Sequence, residues 1–199
     1  MTQADMRLAY KVGIWSASLA TVLIVIAGIT ATAAIQPFAT VVGFLVAPTF
    51  IVMMVCIYST APENRRFLGL IGLSFALIYG TLISFNYFVD LTFVRQGAFD
   101  VEVFNMLNTS SLFWVVEVLG YFFMGLATLF AAPIFMLGKL ETAIRWLFVI
   151  NGVLGIGGLI GYTLNVSISL LLGGLIVWDI VMPLSTALVA YRFKNKVPE

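Results

Sequence analysis

The chain reads as an all-α integral membrane protein, a six-helix transmembrane bundle with both termini cytoplasmic. Three observations predict this. Of 199 residues, 62% are hydrophobic and only 10% charged, with a mean hydropathy of +1.10; a water-soluble domain needs far more polar surface. Six apolar stretches, at about 12–34, 41–60, 67–91, 112–137, 144–164 and 168–191, match the ~20 residues that cross ~30 Å of hydrocarbon. Nine of the ten Lys and Arg residues fall before span one, in the second and fourth gaps and after span six, and Arg95 stands alone on the other side. Cytoplasmic segments carry such an excess, so an even number of spans and the charge bias agree. No linker or low-complexity tract divides the chain, which makes residues 1–199 one transmembrane domain.

Span one ends in the small-residue run Ala31–Ala34, which has the look of a signal-peptide cleavage site. Its apolar region exceeds the usual ~7–15 residues, and a retained anchor is expected. Spans two, four and six each contain a proline: Pro48, Pro133 and Pro183. Span three closes in NYFVDLTFVR, where Asp90 follows Asn86 by four residues and shares its helical face. The long outer loop, 95–110, places Phe99, Val103, Met106 and Leu107 on one helical face and Asp100 and Glu102 away from it. This spacing predicts a short amphipathic helix at the outer interface or capping the bundle. Span four carries Glu117 about one and a half turns inside its outer boundary, with Tyr121 one turn deeper. Arg95 is expected to fold inward and neutralise Asp90 or Glu117. In span five, Gly157 and Gly161 form a small-xxx-small pair, joined by Gly152, Gly155 and Gly158. Packing within the chain is the expected use, aided by Gly173 and Gly174; a homodimer seam through Gly157 and Gly161 is the alternative.

Span six, LLGGLIVWDIVMPL, holds an acid in an otherwise apolar run. A carboxylate at mid-bilayer costs ~2.5–3.5 kcal/mol on insertion scales and points to function. At ~1.5 Å per residue, Asp179 is expected near the midplane, far from any basic side chain. Pro183 has no amide to bond the carbonyl of residue 179, so a carboxyl group and a free carbonyl share one depth. Asn151 on span five is the expected partner. Such a pair serves either as interhelical glue or as a site for a proton, a metal cation or a ligand's hydrogen-bond donor.

Composition closes several routes. The formal net charge of +1 argues against nucleic acid as a partner. With no histidine and one cysteine, Cys56, the ordinary zinc, haem and iron–sulfur sites lack ligands, and Ser–His and Cys–His catalysis are excluded. No cofactor is expected, and Walker, dinucleotide and potassium-filter motifs are missing.

The second half resembles an uncharacterised family of small bacterial and archaeal membrane proteins with about six spans. The likeness rests on VVEVLGYFFMGLATLF, on GKLETAIRWLFVINGVLGIGGLIG and on a last helix ending in a basic tail. NYFVDLTFVR is similar to segments of such proteins too, so half to two-thirds of the chain is covered. The resemblance implies a prokaryotic cell membrane and transfers no site residues. The leading expectation is a protein that binds or transports a small molecule, a lipid or an ion. Its candidate residues are Asp179, Asn151, Glu117, Tyr121, Asp90, Asn86 and Arg95. The alternatives are a non-catalytic interaction subunit or sensor and, third, a membrane-embedded enzyme using Glu117 or Asp179 as acid or base.

Overall fold

The computed structural model describes residues 2–33, 35, 37–97, 103–106, 108–166 and 168–197, with the side chains of 168–178 outside the description. Among the described residues there are six long helices and no strand: α1 (Gln3–Thr32), α2 (Phe38–Ser59), α3 (Arg66–Val89), α4 (Leu112–Ala131), α5 (Lys139–Thr163) and α6 (Ile168–Asn195). Helices α1 to α5 are long and apolar enough to cross a membrane, which suggests a multi-pass membrane protein.

Each helix packs against its neighbours in sequence, and α6 returns against α1 to close a ring. Short connections force this alternation of direction. The α1–α6 seam runs antiparallel through Gly13 beside Phe193, Thr21 bonded to Thr186 at 2.7 Å, and Gly28 beside Asp179. Both termini therefore lie at one end, the tail end, with the α2–α3 and α4–α5 connections. The opposite, loop end carries the other three connections. Large side chains, among them Phe50, Met53, Tyr79, Ile83 and Phe148, fill the interior.

Local chemistry explains the ends. Helix α1 starts well before its apolar span because Thr2 and Asp5 form a reciprocal capping box, with hydrogen bonds of 2.9 and 3.2 Å. Pro48 and Pro183 sit inside helices, whereas Pro133 ends one. There α4 tightens into a 3-10 turn, Ala132–Ile134, and Arg65 donates to the Pro133 carbonyl. Just beyond, Glu141 Oε2 accepts the N–H groups of Met136 and Leu137 at 3.0 and 2.8 Å. Its Oε1 accepts Arg192 Nε at 2.9 Å and Lys196. Arg192 is buried, its guanidinium 5.0 Å from the centre of the Phe135 ring. One carboxylate thus ties α5, the turn before it and the end of α6.

Two expectations need correction. In the loop 95–110, residues 103–106 and 108–111 form turns rather than an amphipathic helix, while Phe99, Asp100, Glu102 and Leu107 lie outside the described residues. Val103 is exposed, and Phe104 is buried instead, edge-on to Phe113 at 5.6 Å. The loop carbonyls of Asn105 and Met106 find donors in Ser111 and Trp114, both at 2.7 Å, so helical bonding is not required of them. Nor is Gly157 the residue that brings α5 close. A Cβ at Gly155 would stand 2.9 Å from the Tyr121 carbonyl and one at Gly152 3.0 Å from that of Gly125, whereas Gly157 and Gly158 meet nothing. Gly161 is buried; the surroundings of Gly173 and Gly174 lie outside the description.

Candidate functional site

The three acids expected within the spans, Asp90, Glu117 and Asp179, lie in two places. The first is enclosed between α3 and α4. Tyr79, Ile83, Asn86, Tyr87 and Asp90 recur every three or four residues and so share the inward face of α3. Glu117 projects from α4 into this face and is 2% exposed. Its Oε2 accepts Asn86 Nδ2 at 2.9 Å; its Oε1 accepts the phenol of Tyr87 at 3.0 Å and that of Tyr121. Asn86 Nδ2 also donates to the Phe113 carbonyl at 3.1 Å. The ring of Tyr87 reaches this position across Gly43 of α2, where a Cβ would stand 2.6 Å from it. Three neutral donors compensate the carboxylate, and no Lys or Arg among the described residues pairs with it.

One turn toward the loop end, Asp90 opens a π-helical turn, Asp90–Val94. Its Oδ2 accepts Thr40 of α2 at 2.9 Å and lies 3.8 Å from Arg95. Arg95 thus folds inward and meets Asp90, not Glu117. Asn86, Glu117 and Tyr121 come together as their positions on the spans suggested. Tyr87 and Thr40 are additions. Tyr87 was legible, three residues before Asp90 on the same face; Thr40 was not, since nothing local in α2 indicates a partner on α3.

Asp179 stands apart from this cluster. Asn151 is buried and donates to Thr128 of α4 at 2.9 Å, so the expected Asp179–Asn151 pair does not form. The reason is helix rotation: Asn151, Gly152 and Gly155 all face α4, away from the α1–α6 seam. Asp179 rests on Gly28, where a Cβ would come within 2.6 Å of Oδ1. It is exposed on the side of the bundle rather than buried in it. Gly28 is four residues, about 6 Å, from the end of α1, while Asp179 itself is eleven residues, about 16 Å, from the start of α6. Val25, Gly28, Ile29, Thr32, Ala33 and Asp179 line an open groove of about 440 Å³. Among the described residues none donates a hydrogen bond to the Asp179 carboxyl group or forms an ion pair with it.

Fold and sites together define a class: an all-helical protein with the dimensions of a multi-pass membrane protein, carrying an enclosed acidic cluster and an exposed acid in a lateral groove. No family model, no curated protein and no solved structure matches the chain.

Proposed function

We propose that this protein binds a small amphiphile from the bilayer in the α1–α6 groove, with Asp179 receiving a cationic head group. The observation that carries the reading is the exposed carboxyl group of Asp179, without a partner among the described residues, in a groove otherwise built mainly of apolar atoms. A charge facing lipid is costly unless something compensates it. The groove offers apolar contacts on both sides of the acid: Val25 toward the tail end and Ile29 toward the loop end suit an alkyl chain, and Asp179 between them suits its head group. Gly28 is what lets the carboxyl group lie against α1. An enzymatic role has less support, because no second acid or base lines the groove among the described residues. Orientation belongs to the same proposal. The excess of Lys and Arg at the tail end favours cytoplasmic termini, and the family resemblance favours the cell membrane of a prokaryote.

The test compares a fluorescent long-chain alkylammonium with the alcohol of equal chain length, binding to the full chain in detergent. A charge-assisted hydrogen bond predicts a preference for the ammonium of about tenfold or more. Asp179→Asn abolishes that preference while leaving the unfolding midpoint nearly unchanged. Equal binding of both amphiphiles to the unaltered protein refutes the proposal, as does a preference that survives the substitution. If Asp179→Asn instead unfolds the protein, the carboxyl group is interhelical glue.

A further inference from the structure

We infer that the enclosed cluster around Asn86 and Glu117 is a binding site for a small alkali-metal cation, reached from the loop end past Asp90. This is a different site from the lateral groove and does not depend on it.

Charge is the first part of the argument. Glu117 and Asn86 are 2% and 0% exposed, and Arg95, the basic residue of that end, is engaged with Asp90. An ionised Glu117 is therefore a buried charge without a counter-charge, which proteins rarely tolerate. The second part is a count of hydrogen bonds. Both hydrogens of Asn86 Nδ2 are committed, one to Glu117 Oε2 and one to the Phe113 carbonyl. Asn86 Oδ1, on the same amide group, is buried with no partner among the described residues. Buried polar atoms left in this state are exceptions that point to an unseen ion or water.

A proton placed on Glu117 does not resolve both defects. Oε1 already accepts two phenols and Oε2 faces the amide N–H, so a new O–H reaches Asn86 Oδ1 only if the amide turns over, and the Phe113 carbonyl then loses its donor. A metal cation engages several oxygens at once. The carboxylate, Asn86 Oδ1 and the oxygens of Tyr87 and Tyr121 form an oxygen-only set, the preference of hard cations. A single negative charge balances a single positive one. Among the described residues no group of three Asp, Glu, His or Cys side chains offers the charge a divalent ion would need. Asp90, one turn above and 8% exposed, provides an oxygen on the way in, with the partly exposed Arg95 as the side chain that must swing aside.

Thermal unfolding of the purified full chain in sodium chloride and in choline chloride, at equal ionic strength, tests this. The expected result is a saturable rise of several degrees in Tm with sodium alone. Glu117→Gln should remove the rise, and Asn86→Ala should raise the half-saturating sodium concentration at least tenfold. Identical melting in the two salts overturns the proposal, and so does a full sodium response in Glu117→Gln. If that variant does not fold, the salt comparison and Asn86→Ala decide. Stabilisation by lowered pH without any response to sodium would mean a proton occupies the cluster and also overturns it.

Discussion

Glu141 shows how much of this structure depends on single side chains. It accepts four hydrogen bonds, two from backbone amides, one from Arg192 of α6 and one from Lys196 just beyond it, and it is the charge that makes a buried Arg192 tolerable. Removing one member of a buried pair costs about 3–5 kcal/mol because the other charge is stranded. Glu141→Gln is therefore expected to lower the denaturant midpoint sharply in detergent. The double variant Glu141→Gln/Arg192→Met should recover part of the loss; a double variant no better than the single one would show that the pair is not the source of the effect. In sequence this residue gave no sign. GKLETAIR reads as a solvated turn, and the partners stand 51 and 55 residues away. The carboxylates within spans are different: the cost of burying Glu117 and Asp90 is visible in the residue type and its apolar neighbours. Asp179 was legible as an oddity but not as an exposed one, because a hydropathy pattern does not say which way a helix is turned.

At the scale of the element, the α4–α5 seam depends on glycine. Around Gly155 the neighbours are backbone atoms, the Tyr121 carbonyl and Gly125 Cα, which cannot rotate away. Gly155→Ala must push the helices apart, at about 1–3 kcal/mol. Gly157 faces open space two residues on. There an added methyl meets nothing and helix propensity favours alanine by up to about 1 kcal/mol, so Gly157→Ala is neutral or stabilising. Denaturant unfolding of the two variants should move in opposite directions; a loss of equal size in both would mean the seam lies elsewhere. The run NGVLGIGGLIGY announces close packing, yet which glycines make it follows from the ~100° turn per residue and the position of α4.

At the scale of the molecule, six helices in sequence order close a ring through α1 and α6, and this closure creates the groove where Asp179 lies. It also gathers Arg7, Lys11, Arg65, Arg66, Lys139, Arg145, Arg192, Lys194 and Lys196 at the tail end, opposite Arg95. The proposed cytoplasmic placement of that end predicts the behaviour of reporters. A fluorescent protein fused to the C-terminus, folding only in the cytoplasm, should be bright, and alkaline phosphatase fused there should be inactive. Active phosphatase would reverse the proposed orientation.

The amino-acid sequence alone determined the helical class, the places where the helices turn back and the residues whose burial would be costly. These are properties of composition and of segments about 20 residues long, and the apolar length needed to cross a bilayer leaves little choice. Tertiary structure decided the rest: that Asn151 serves Thr128, that Arg95 serves Asp90, that Tyr87 completes the shell of Glu117, and that Asp179 looks outward beside Gly28. Each depends on the rotation and register of one helix against another. A shift of one residue, ~100°, turns a side chain from the interior to the surface, and only the packing of all six helices settles that angle.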